Sequence, residues 1–164
     1  MDALFTAHAG DVFGFAARRT SRSAAEDVVS ETFLVAWRRL DSIPDAPKPW
    51  LLAVARRVLA NQRRSAGRQS AVAARLGPHD PLLDAEAVGS AGSAVLEALG
   101  HLAPLDRDAI TLIAWDGLTA EEAAAVLGCS RATFYVRLHR AKKRLAAVLG
   151  AIDDRTTEQG VDRP

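Results

Sequence analysis

No stretch of this chain strings together the β-branched and aromatic residues that a sheet needs, whereas alanine supplies about a fifth of its 164 residues. Alanine is the strongest helix former, and its small side chain lets helices approach closely. Aromatics make up only 5%, which excludes a β-sandwich or barrel. The expected fold class is all-α: two small helical domains joined by a flexible linker. With 49% hydrophobic residues the chain has material for both cores, and 25% charged residues at a net charge of +1 exclude disorder throughout.

Cys129 is the single cysteine, so neither an internal disulfide nor a cysteine-based metal site is expected. The N-terminus MDALFTAHAG has no basic region followed by an apolar one, unlike a secretory signal. The longest apolar run, Trp50 to Ala55, is far short of a membrane span. A soluble, cytoplasmic protein with no membrane span is expected.

Helical spacing of Leu4, Phe5, Ala9, Val12, Phe13 and Ala16 predicts a first helix over 3–18. Ser23-Ala24-Ala25-Glu26 reads as a capping box opening a second helix that reaches Leu40. Prolines at 44 and 47 force a loop over 41–49, and Pro49 suits the first turn of a third helix ending near Ser65. Residues 66–93, rich in Gly, Pro and Ser, read as a linker with a short helical piece around 69–76. Helices resume over 94–101 and 105–116, the second ended by Gly117. Thr119-Ala120-Glu121-Glu122 is another capping box, opening a short helix to Leu127; Gly128 ends it, and Ser130 caps a last helix over 131–149. The domains are therefore placed at 1–65 and 94–150, with a disordered tail over 151–164.

The small net charge hides local asymmetry. Residues 54–68 carry five arginines and no acid; residues 131–144 carry six basic residues and no acid. One such run is ordinarily a solvated helix face, but two suggest two contacts with a polyanion. The second run lies in a helix-turn-helix over 119–144. On a helical wheel Phe134, Leu138, Ala141 and Leu145 fall together as core. The opposite face carries Ala132, Val136, His139 and Lys143, flanked by Thr133, Tyr135 and Arg140. Ala132 permits close approach to a groove floor, and outward Val136 suits a thymine methyl. Arg131, Arg137, Arg140, Lys142, Lys143 and Arg144 are placed to meet phosphate or guanine. The bland alternative is a helical hairpin with a basic solvated face.

In the third helix Leu51, Val54, Ala55, Val58 and Leu59 form the core side. Trp50, Arg56, Arg57, Asn61, Arg63 and Arg64 lie on the other, an aromatic beside a basic stripe that suits an unpaired base and its backbone; a Trp at a helix start also suits a core. In the second helix Val29, Phe33, Ala36 and Leu40 face inward. Asp27, Glu31, Leu34 and Arg38 align outward, and a leucine among charges suggests a protein contact, although a lone exposed leucine is common. No phosphate-binding loop, zinc motif or nucleophile–base pairing is present, so no catalytic residue, no metal and no cofactor is expected.

Two segments together resemble bacterial sigma factors of the sigma-70 family, extracytoplasmic-function group. Residues 25–38, AEDVVSETFLVAWR, followed by Pro49-Trp50-Leu51-Leu52-Ala53-Val54-Ala55-Arg56-Arg57, resemble region 2; Leu99–Asp108, Gly117–Ala124 and Leu138–Leu145 resemble region 4. The resemblance implies a non-catalytic subunit that binds core RNA polymerase at clamp and flap and directs it to promoter DNA. It implies polymerase contact by Asp27, Glu31, Leu34 and Arg38. It implies −10 contact by the loop 41–49 and by Trp50, Arg56, Arg57, Asn61, Arg63 and Arg64. It implies −35 contact by Thr119 and by the last helix, through Arg131, Ala132, Thr133, Tyr135, Val136, His139, Arg140 and Lys143. An anti-sigma factor is the implied inhibitor. Ser30, Arg57, Asn61, Ala132, Tyr135 and Val136 depart from the family's usual residues, which bears on base preference rather than fold. The rival reading is a helix-turn-helix regulator that acts without being a polymerase subunit.

Overall fold

The structure, a computed structural model, describes residues 1–69 and 90–161. Among them are seven α-helices, one 3-10 turn and no strand. The chain divides into two units, Met1–Pro81 and Leu82–Pro164.

The first unit contains α1 (Asp2–Ala17), α2 (Arg22–Arg38), the 3-10 turn Leu40–Ser42 and α3 (Pro47–Gln69). Each helix packs on the other two. Val12, Phe15 and Ala16 of α1, Val28, Phe33 and Ala36 of α2, and Leu51, Leu52 and Ala55 of α3 fill the core. The sequence reading turns α1 and α2 slightly wrongly. Phe15 is buried and Phe5 largely exposed, its ring resting on Phe33 at 4.8 Å between centroids. In α2, Val28 rather than Val29 is fully buried, and Leu40 lies past the helix end, exposed.

The Ser23–Glu26 capping box does not form. Ser21 is the N-cap, without a side-chain cap bond, and α2 starts at Arg22. The helix thus gains Arg22 and Ser23; the Arg22 guanidinium reaches Glu26 at 3.6 Å and lies 5.9 Å from the Phe13 ring centre. Helix α3 begins at Pro47, before the expected Pro49. Both prolines fit because the first turn's N–H groups have no partner within a helix. It continues past Ser65 to Gln69, since an interior glycine such as Gly67 costs only about 1 kcal/mol. The helical piece expected around 69–76 lies, but for its first residue, outside the described residues.

The second unit holds α4 (Ser90–Gly100), α5 (Pro104–Ala114), α6 (Ala120–Leu127) and α7 (Arg131–Val161). Leu99 and Leu102 pack with Leu96, Ile110 and Leu145. Arg107 closes α4: its Nε and Nη2 each donate at 2.8 Å, to the carbonyls of Leu99 and Gly100. Helix α7 continues through Gly150 to Val161, past the end at 149 expected from the sequence. Ile152 is buried, so packing carries the helix past a glycine that propensity alone would make its end.

Candidate nucleic-acid interface

The helix-turn-helix is built by local chemistry. Thr119 Oγ1 accepts from the Glu122 backbone N–H at 3.3 Å, and Glu122 Oε2 accepts from the Thr119 N–H at 2.7 Å, completing the capping box. Gly128 ends α6 at φ +67°, and the Cys129 N–H reaches back to the Ala124 carbonyl at 3.0 Å. Ser130 Oγ then accepts from the Thr133 N–H at 3.1 Å and caps α7. Three consecutive turn features thus aim α7 before any long-range packing is considered.

Packing fixes its rotation. Phe134, Leu138 and Ala141 are buried, and Leu145 packs on Leu99 and Leu102. Ala132, Val136, His139 and Lys143 are consequently exposed along one stripe. Val136 is 52% exposed and Tyr135 47%, two adjacent apolar side chains open to solvent on a basic face. Arg131 lies over the Tyr135 ring at 5.5 Å, so these two form one amphipathic surface. Thr133 and Arg140 flank the stripe, both exposed. Thr119 is exposed but its hydroxyl also donates to Glu122 Oε2 at 2.8 Å, so its structural duty is evident.

One basic residue departs from its expected role. The Arg144 guanidinium makes an ion pair with the Asp106 carboxylate of α5, so it is not simply presented to phosphate. Among the described residues no acid pairs with Arg137, Arg140, Lys142 or Lys143.

In the first unit α3 buries Leu51, Val54, Ala55, Val58 and Leu59. Arg57, Asn61, Arg63 and Arg64 are exposed, whereas Trp50 and Arg56 are half-buried. Arg63 Nη2 donates to the Arg19 carbonyl at 2.9 Å, bracing the α1–α2 connection, and Arg64 hydrogen-bonds Asn61. The arginines form one face, with Arg63 partly engaged in holding the fold. The loop placed at 41–49 is shorter than expected, consisting of the 3-10 turn and residues 43–46.

Asp27, Glu31, Leu34 and Arg38 are all exposed on the outer face of α2. Two neighbours escaped the sequence reading. Trp37, next to Arg38, is 64% exposed; its position three residues after Leu34 was the available signal. Gln62 Nε2 of α3 donates to Glu31 Oε1 at 3.2 Å, a contact across 31 residues that no periodicity reveals.

Among the described residues no three His, Cys, Asp or Glu side chains are grouped to hold a metal. No helix there is long and apolar enough to cross a membrane.

Comparison with known proteins agrees with this geometry. Residues 4–69 match the family described as Sigma-70 region 2, and residues 93–145 match Sigma-70, region 4. The chain is 33% identical over 156 residues to the ECF RNA polymerase sigma factor SigL of Mycobacterium tuberculosis, covering 91% of this chain and 88% of that one. It superposes on the sigma factor RpoE of Bartonella quintana, solved in complex with the anti-sigma factor NepR, with a TM-score of 0.71 at 26% identity over 91% of this chain and 96% of that one. CnrH, solved with the cytosolic domain of CnrY, superposes with a TM-score of 0.61 at 27% identity over 92% of this chain and 87% of that one; the curated CnrH comes from Cupriavidus metallidurans.

Proposed function

The chain belongs to the extracytoplasmic-function group of the sigma-70 family of RNA polymerase sigma factors, and we propose from this premise how its surfaces divide the work. It directs promoter-specific transcription as a subunit of RNA polymerase. It supplies specificity rather than catalysis, and acts in the cytoplasm where the polymerase is.

Helix α7 reads the −35 element. Val136 and His139 face base edges, while Arg140 and Lys143 meet phosphates on either side of the groove. The α3 face with Arg57, Asn61 and Arg64, beside half-buried Trp50 and Arg56, engages the −10 element, where an aromatic next to cations suits an unstacked base. Asp27, Glu31, Leu34 and Arg38 on α2 meet the polymerase clamp, and the second unit meets the flap. An anti-sigma factor covers these same surfaces when the protein is held inactive.

The observation that carries this reading is the exposure of Val136 at the centre of an acid-free basic helix face. An apolar side chain at that place suits contact with a thymine methyl. The test is co-purification with core RNA polymerase. Glu31→Lys combined with Leu34→Asp is expected to abolish it at ordinary salt while helicity by circular dichroism is retained, because both side chains point outward. Undiminished co-purification of a folded double variant would remove the clamp assignment. A wild-type chain that binds DNA but never the polymerase would favour a regulator that is not a polymerase subunit.

A further inference from the structure

Asp106 is an acid placed at the rim of a basic surface. It lies in the first turn of α5 and is 9% exposed. A buried carboxylate is costly unless paired, and its partner is Arg144, 38 residues later on α7. Arg144 itself is 61% exposed by side chain, so it stands at the surface with its charge answered from within. The pair lines an open hollow of about 500 Å³ between α5 and α7. Ala132, Thr133, Val136, Arg137 and Arg140 line the rest. The hollow therefore lies along the flank of the stripe assigned to DNA.

We propose that Asp106 is a positioning residue that sets the strength and salt dependence of DNA binding: it holds Arg144 out of the phosphate count and so weakens sequence-independent binding by α7. The inference rests on the reading of α7 as the DNA-reading helix. Each basic side chain that neutralises a phosphate adds about 0.9 to the slope of log K against log salt, and this contribution is the same for every sequence. Discrimination is the ratio of specific to non-specific binding. A cation withheld from phosphate lowers both by the same factor, so total affinity and salt dependence fall while the ratio stays with Val136 and His139. The same pair ties α7 to α5, so it also keeps the rotation that presents those two residues.

The test uses the full chain and two duplexes, one of random sequence and one selected by the wild-type chain from a randomised pool, titrated across a salt series. Asp106→Asn is expected to steepen the salt slope on both duplexes by about one and to bind both several-fold more tightly at low salt. Arg144→Gln is expected to leave the slope at its wild-type value, and Asp106→Asn with Arg144→Gln to return it there. An unchanged slope in Asp106→Asn would overturn the proposal. So would a slope about one shallower in Arg144→Gln, because Arg144 would then already sit on a phosphate. If Asp106→Asn unfolds, the Arg144→Gln slope decides alone by that criterion. A wild-type chain with no salt-dependent affinity for either duplex would instead remove the DNA-reading assignment of α7, and this inference with it.

Discussion

Lys48 Nζ lies 2.9 Å from Asp11 Oδ1, joining the first turn of α3 to the middle of α1. His8 Nδ1 approaches the other Asp11 oxygen at 3.3 Å. Burial pushes the Asp11 carboxyl up, but the hydrogen bonds from Lys48 and His8, with their charges, outweigh it and hold the group below its ordinary value. A carboxyl whose folded pKa is depressed contributes stability above its unfolded pKa and loses it as pH falls through the folded value.

Asp11→Asn is therefore expected to lower stability above about pH 5, by no more than about 1 kcal/mol for a pair this exposed. The gap between variant and wild type should close as pH falls below the ordinary carboxylate range. Urea midpoints across a pH series measure it, and a gap that widens toward low pH would contradict the assignment.

Thr32 is fully buried in α2, and its hydroxyl has no hydrogen-bond partner among the described residues. A buried polar group left unpaired costs about 1–3 kcal/mol. Thr32→Val keeps the shape and removes the hydroxyl, so it is expected to raise stability by about 1 kcal/mol. Denaturant unfolding checks it; a loss of that size would mean the hydroxyl is satisfied in solution.

Gly128 has φ +67°, and a Cβ built there meets nothing within 4 Å. Substitution is disfavoured by backbone conformation alone. Gly128→Ala is expected to destabilise the second unit by about 1–2 kcal/mol, and Gly128→Asn by less, because asparagine tolerates left-handed backbone. Thermal unfolding of the two variants distinguishes this from a packing effect, which would rank the larger asparagine as worse.

Val136→Asp would place a carboxylate against groove acceptors. It is expected to erase −35 preference at a cost of about 1–3 kcal/mol per lost base contact. Lys143→Ala should weaken all sequences alike and reduce the salt slope by about one. Arg57→Ala should impair −10 engagement without altering −35 preference; it suits this test better than Arg63, which also braces the Arg19 carbonyl. Binding and run-off transcription on promoter variants read all three. A −35 preference unmoved by Val136→Asp would mean the assigned face of α7 is wrong.

Much of the candidate site was legible because it is written within single turns. The capping box at Thr119 and Glu122, the left-handed glycine at 128 and the Ser130 cap each depend on residues no more than five apart. The faces of α3 and α7 were legible too, since Leu51, Val58 and Leu59, and Phe134, Leu138 and Ala141, lie close together on their wheels. The basic stripes follow from those cores by elimination.

What the sequence by itself determined was thus the helical class, the helix-turn-helix and the angular order of residues around each helix. A wheel fixes which residues share a face, but not the rotation of a helix against its neighbours. That rotation placed Phe15 and Val28 inside while leaving Phe5 about half exposed, and the end of α2 at Arg38 left Leu40 outside the helix. The same limit hid the contacts made across long separations: Gln62 with Glu31, Arg63 with the Arg19 carbonyl, and Arg144 with Asp106. Only the tertiary structure decided these, because charge and spacing say that an arginine needs a partner, whereas packing alone brings a particular partner within reach.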